Sequence, residues 1–201
     1  MGEPLANKKK VLFYMNAPVI LGMTFISLII LIGDALTRGM VNRLLGMYFT
    51  SWRDPMMYFR IFTHIFAHAD LTHFTGNFMM ILVIGPMVEE KYGSKNLVTM
   101  IAITSMVTGL LDMVFFRNIL FVGASGIVFM LILLASFTDI KNDRLPITVL
   151  LISVLYIGNE VVNGLILSDN VSQLSHIAGG FCGAFLGFFF HRGKGPSGRS
   201  V

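Results

Sequence analysis

Residues 121–137 read FVGASGIVFMLILLASF, a Gly-x-Ser-Gly tetrapeptide that opens an almost wholly apolar run. Two interpretations fit Ser125, which stands where this run begins. Serine is a favoured N-cap residue, so it can simply start a helix. Alternatively it is a nucleophile, because Gly123 and Gly126 let backbone and a substrate carbonyl come close. The tetrapeptide alone favours the cap, since short Gly/Ser patterns recur by chance. A base and an oxyanion hole elsewhere in the chain would reverse that preference.

The composition is that of a membrane protein. The chain has 201 residues, of which 55% are hydrophobic and only 13% are charged, and its mean hydropathy is +0.75. Soluble globular domains carry about twice that share of charge. A single cysteine, Cys182, excludes an intrachain disulfide framework and is most simply a packing residue. The net charge of +4 does not indicate nucleic-acid binding, because the basic residues are scattered between membrane-length apolar runs.

Six apolar segments predict an all-α polytopic membrane protein, with six transmembrane helices in a compact bundle. The arginine-rich residues between the first two segments contain no spanning run and predict a long first loop of amphipathic pieces at the interface. This membrane domain is expected to cover residues 15–191, between an N-terminal tail (1–14) and a C-terminal tail (192–201). The predicted spans are residues 11–33, 71–88, 96–116, 125–137, 145–162 and 174–190.

The basic residues predict the orientation of the spans. If the N-terminus is inside, ten Lys and Arg residues, including every lysine, lie on the inner side and five arginines on the outer side. The positive-inside rule then places both termini in the cytoplasm. The chain enters the fourth span from outside, and about 13 residues, ~20 Å of helix, follow Ser125 in a hydrocarbon core of ~30 Å. Ser125 should therefore lie roughly 10 Å below the outer surface, preceded by non-helical residues 118–124 beside a water-filled cavity.

A histidine in the last span is the candidate base. His176 is expected at a depth similar to that of Ser125, and ionisable residues inside spans mark function by default. Glycines at a spacing of four follow it and would let a neighbouring helix approach closely enough for imidazole to reach the hydroxyl. Snorkelling of His176 and plain packing of the glycines are the alternatives. Taken together with Ser125, these features favour a serine–histidine pair. The glycines are Gly179, Gly180, Gly183 and Gly187.

The second span supplies further polar groups. They are His64, His68, His73 and Asn77, of which His73 and Asn77 stand four residues apart and therefore project from one helical face. An imidazole N–H and a carboxamide can meet a developing oxyanion together with the backbone N–H of Ser125. Hydrogen-bonding contacts between helices are the alternative role. A metal site is not expected, because there is no His-Glu-x-x-His motif and no acid on that face.

Three motifs stand far apart in the chain: THIFAH followed by LTHFTGN (63–68 and 71–77), GASG (123–126) and HIAG (176–179). Together they resemble the motifs of the rhomboid intramembrane serine proteases. The resemblance covers residues 15–190 in the order and spacing of that family. It implies that Ser125 is the nucleophile and His176 the general base and later acid. It further implies that His73, Asn77 and the backbone N–H of Ser125 form the oxyanion hole.

The resemblance also implies supporting residues and partners. Phe129 would stack on His176, His68 would support hydrogen bonds or water, and Gly123 and Gly126 would shape the nucleophile loop. The substrates would be single-span membrane proteins, cut near the outer end of their helix, with no cofactor and no metal. The chain would reside in the lipid bilayer of a bacterial plasma membrane, with its active site open to the outer side.

The sequence departs from the family pattern at two places, and it lacks an evident third triad member. Phe59-Arg60 precedes the second span where Trp-Arg is usual, and Ser175 precedes the histidine where alanine is common. The outer acids are expected in solvent at the membrane ends, so a Ser–His dyad is predicted. These acids are Asp70, Asp112 and Asp169.

Two other functions compete with proteolysis. A non-catalytic rhomboid-like protein that binds membrane helices would be signalled by loss of Ser125 or His176, and both are present. A small transporter would favour internal repeats or paired broken helices, and the sequence has no internal duplication.

Overall fold

The computed structural model describes residues 16–136 and 170–192, together with isolated helical positions between 147 and 162. Within these residues the chain is helical, and its one β feature is an isolated antiparallel bridge between Met47 and Phe121. In chain order the elements are α1 (Pro18–Leu36), α2 (Met40–Leu45), α3 (Pro55–Thr63), a 3₁₀ turn (His64–Phe66), α4 (Leu71–Tyr92), α5 (Ser94–Phe115), α6 (Ser125–Ser136) and α7 (Asn170–Arg192).

Four of these helices, α1, α4, α5 and α7, are long and apolar enough to cross a membrane. They correspond to the first, second, third and sixth predicted spans. Helix α1 begins later than predicted because Pro18 occupies its first turn, and it also ends three residues later, at Leu36. The predicted fourth span forms α6, which is apolar but shorter. The predicted fifth span, 145–162, lies outside the continuously described residues.

The four long apolar helices show that the chain is an all-helical integral membrane protein.

Helix α6 lies at the centre of the packed helices. Its side chains at Ile127, Met130, Leu131 and Leu134 are at most 1% exposed, and helices α4, α5 and α7 pack against it. The outer faces of the surrounding helices carry large exposed apolar side chains, such as Phe181 at 74%. A patch of this kind suits lipid rather than water. Because α6 is enclosed by protein, it can begin within the bundle rather than at its edge.

Glycines allow α6 and α7 to touch backbone to backbone. A Cβ placed on Gly179 would collide with the carbonyl oxygen of Gly126, and one placed on Gly183 would collide with that of Met130. A Cβ on Gly180 would make only an ordinary contact, 3.7 Å from Leu133 Cδ2. The predicted close approach is therefore confirmed at two of the glycines. It holds the first turns of α6 against the middle of α7.

The first loop packs around a buried arginine. Arg60 is 7% exposed, its Nε donates to the Leu44 carbonyl at 3.2 Å, and its guanidinium lies 4.2 Å from the centre of the Tyr48 ring. Trp52 and Phe59, by contrast, are about half exposed. Short helices with exposed aromatic side chains match the amphipathic pieces that the sequence predicted, and amphipathic helices of this kind suit a membrane interface.

Glu89, near the end of α4, caps the start of α1. Its carboxylate is buried and accepts hydrogen bonds from the N–H groups of Val19 (3.0 Å) and Ile20 (3.1 Å) and from the hydroxyl of Ser94 (2.7 Å). The first amides of a helix have no acceptor within the helix, and a carboxylate there also matches the positive end of the helix dipole. One side chain therefore joins α1, α4 and the start of α5.

Glu89→Ala should lower the thermal stability of the purified protein strongly. The substitution leaves one buried amide, one partly buried amide and a partly buried hydroxyl without their acceptor, which corresponds to about 2–5 kcal/mol in the free energy of unfolding. Glu89→Gln keeps one acceptor oxygen and should lose less. The measurement is the unfolding midpoint in detergent, with Glu90→Ala, a neighbouring exposed acid, as the control. Equal midpoints for the two alanine variants would contradict this role of Glu89.

Candidate active site

Ser125 is the first residue of α6, not its cap. The carbonyl of Ala124 accepts the first helical hydrogen bond, from Val128 N–H at 3.0 Å, so Ala124 occupies the N-cap position. The capping interpretation of Ser125 is therefore wrong. At this position the amide of Ser125 belongs to the first turn, where N–H groups lack acceptors within the helix and the dipole favours negative charge.

Ser125 lines a cavity of about 280 Å³. A liquid water occupies roughly 30 Å³, so the cavity has room for several waters or for a substrate side chain. The sequence predicted a water-filled cavity beside Ser125; the structure has a cavity there, lined by both polar and apolar side chains. Its polar side chains come from the 3₁₀ turn and from helices α4 to α7, and they are His64, His73, Thr108, Asp112, Ser125 and Ser175.

Gly123, two residues before Ser125, lets the second span come close. Gly123 has φ +135°, a conformation that favours glycine, and a Cβ there would lie 2.7 Å from both Cε1 and Nε2 of His73. The amide nitrogen of Asn77, a residue that is 2% exposed, is 3.8 Å from the same point. Residues 118–124 are non-helical, as predicted. Both candidate oxyanion donors therefore lie against the loop that leads into Ser125.

His64 and His68 lie in the 3₁₀ turn and the segment before α4, not on the span itself. Burial lowers the pKa of both imidazoles to about 4, so they are neutral near pH 7. His68 places its ring 5.1 Å from the ring of His73, edge to face. The His64 carbonyl accepts a hydrogen bond from Gly123 N–H at 3.0 Å, and its Nε2 lies 3.4 Å from Thr108 Oγ1. His64 and His68 are therefore placed to support residues that line the cavity. Among the described residues no cluster of metal-ligating side chains occurs.

A stacking contact with Phe129 orients the imidazole ring of His176 on α7. His176 is 4% exposed and stacks on Phe129, with ring centroids 4.5 Å apart and planes inclined by 13°. Phe129 lies one turn after Ser125 on α6, so the predicted stacking contact is present. The carbonyl of Ser175 comes within 3.5 Å of where a Cβ of Gly126 would be. The turn that carries His176 therefore lies against the residues next to Ser125.

One acid lies where the sequence did not predict it. Asp112 was expected in solvent, and that expectation is wrong, because the carboxyl is 3% exposed and accepts a hydrogen bond from Ser175 Oγ at 2.6 Å. Helix α7 packs on α5 and covers it. Asp70 is exposed, as expected, and caps α4 by accepting from His73 N–H at 2.8 Å. Asp169 lies outside the described residues. The signal in the sequence was Ser175, a hydroxyl directly before the candidate base.

The model of the Rhomboid domain family matches residues 55–193, more than half of the chain, and this region contains the whole cavity. The chain belongs to the rhomboid family. Similar proteins include RHOMBOID-like protein 7 of Arabidopsis thaliana, 29% identical over 135 residues, which are 64% of this rhomboid and 42% of the relative. Rhomboid protease GlpG of Salmonella newport is 31% identical over 96 residues, 46% of this chain and 33% of the relative. This rhomboid thus spans less than half the length of the curated relatives it matches. The predicted family is confirmed.

Proposed function

We propose that this rhomboid is an intramembrane serine endopeptidase with a Ser125–His176 dyad. The observation that carries the proposal is the convergence of three elements on one cavity. The start of α6 brings Ser125, α4 brings His73, and α7 brings Ser175, the residue directly before His176. Membership of a family in which one similar protein is named a protease supports the same reaction.

In the acylation step the Ser125 oxygen attacks the carbonyl carbon of a substrate peptide bond while His176 accepts the hydroxyl proton. The C–N bond then breaks, and the imidazolium returns that proton to the leaving amine. Stacking on Phe129 keeps the imidazole in one orientation. A dyad depends on such packing, because it has no carboxylate bonded to the imidazole as a triad does.

The oxyanion formed in this step needs donors that are already in place. The Ser125 N–H at the start of α6, the His73 imidazole and the Asn77 carboxamide are proposed to supply them. The close approach of His73 and Asn77 to Gly123 supports this assignment. Oxyanion donors of this kind are each worth about 10²–10³ in kcat. Water in the cavity then attacks the acyl-enzyme, with His176 again as the base.

The proposed substrates are single-span membrane proteins. A peptide bond inside a helix is shielded, so the helix must unwind locally before Ser125 can attack. Glycine and proline disfavour helix by about 1 and 3 kcal/mol relative to alanine, which makes segments that contain them the easier targets. The lysine and arginine distribution supports cytoplasmic termini and a site that opens to the outer side, as in a bacterial plasma membrane.

A liposome assay tests the proposal. The purified protein is incubated with a model single-span protein that carries Gly and Pro near one end of its helix, and with a matched protein in which alanine replaces them. We expect a new pair of fragments from the first substrate and slower cleavage of the second. If neither substrate is cut in liposomes or detergent, the protease proposal fails. Stable copurification without cleavage would then indicate a non-catalytic protein that binds membrane helices.

A further inference from the structure

A buried carboxylate stands behind the proposed base. Asp112 Oδ1 accepts the Ser175 hydroxyl at 2.6 Å, and Ser175 is joined by one peptide bond to His176. Both Asp112 and Ser175 line the cavity that Ser125 lines. Asp112 is therefore tied to the turn of α7 that carries the imidazole.

No described cationic side chain pairs with the Asp112 carboxylate, so its charge can influence the nearby histidines. Within residues 16–136 and 170–192 no Lys or Arg forms an ion pair with it. Arg60 of the neighbouring α3 is engaged by Leu44 and Asp54, and Arg117, beyond the end of α5, stacks over Phe49. The other titratable side chains in the cavity lining are His64 and His73, and His176 directly follows Ser175, the hydrogen-bond partner of Asp112.

We infer that Asp112, through Ser175, is a positioning residue that supports the positive charge on His176 during proton transfer. This inference rests on the proposed protease function. In this role the Asp112 carboxylate neither forms nor breaks a covalent bond. It holds the α7 turn through the Ser175 hydroxyl, and its negative charge favours imidazolium over imidazole. An opposite charge nearby raises the pKa of a histidine, so the imidazole accepts the Ser125 proton more readily.

The test is the pH dependence of kcat/KM and of the labelling rate with a fluorophosphonate. Asp112→Asn keeps an oxygen that can accept the Ser175 hydroxyl but removes the charge. We expect the apparent pKa of the acidic limb to fall by about one unit in both measurements, with a several-fold lower kcat/KM at neutral pH. Ser175→Ala removes the hydroxyl that donates to Asp112 and should lower the apparent pKa of the acidic limb by a smaller amount.

The controls separate this inference from the proposed function. Glu90→Gln removes an exposed carboxylate at the opposite end of α4 from His73, ~26 Å along the helix, and should leave the profile unchanged. If the parent cleaves and labels but the profile of folded Asp112→Asn superposes on it, Asp112 is only structural and the inference is overturned. If Asp112→Asn does not fold, an unshifted limb in Ser175→Ala overturns it equally. A parent that neither labels nor cleaves refutes the proposed function instead.

Discussion

Ser125→Ala and His176→Ala should each reduce cleavage of a single-span substrate by about 10⁴- to 10⁶-fold. Each variant removes one end of the same proton transfer, so the losses should not add. The double variant is expected to be about as inactive as either single variant. The measurement is the initial rate of fragment formation in liposomes at equal protein concentration.

A second serine variant makes this result specific. Ser27→Ala alters a fully buried hydroxyl of α1, outside the lining of the cavity, and should retain the parent rate. The dyad is refuted if Ser125→Ala retains a substantial rate, or if the double variant loses far more than either single variant.

Among the described glycines, Gly179 is where substitution by alanine should do the most damage. Its Cβ would meet the carbonyl carbon and Cα of Gly126 at 2.8 Å, and backbone cannot rotate away as a side chain can. Helices α6 and α7 must separate, which we expect to cost about 1–3 kcal/mol in unfolding free energy. Because a shift of ~1 Å between catalytic groups can cost about 10²-fold in rate, activity should fall more steeply than stability.

The neighbouring glycine supplies a matched control. Gly180→Ala adds the same methyl group on the same helix, where it would lie 3.7 Å from Leu133 Cδ2. Removing a glycine from a helix interior stabilises it by roughly 0.5–1 kcal/mol. This variant should therefore match or exceed the parent in its unfolding midpoint and keep its activity. Equal losses in the two variants would show that backbone contact between α6 and α7 does not position the site.

Local pattern predicted the spans and much of the cavity. Apolar length located α4, α5 and α7, because spanning helices need long runs without charge. Glycine spacing predicted the contact at Gly179 and Gly183, since glycines four residues apart share a helical face. The i, i+4 relation placed His73 and Asn77 on one side of α4. In each case a periodic property of one helix was sufficient.

Contacts between elements distant in sequence were harder to predict. The Ser175–Asp112 bond joins residues 63 positions apart, and the depth of Asp112 depends on how α7 lies over α5, which no single segment encodes. The Glu89 cap on α1 likewise joins positions 70 apart. His64 and His68 were assigned to the span, whereas the 3₁₀ turn and the following extended residues precede it. Whether Ser125 caps α6 depends on which carbonyl accepts the first helical hydrogen bond. That carbonyl belongs to Ala124, so Ala124 is the N-cap.

Peptide mapping by mass spectrometry after fluorophosphonate labelling tests most directly whether Ser125 is a nucleophile activated by His176. We predict a single phosphonate adduct on the peptide that contains Ser125 in the parent protein, and none in folded His176→Ala. An adduct on another residue, or labelling that persists undiminished in Ser125→Ala, would contradict the account.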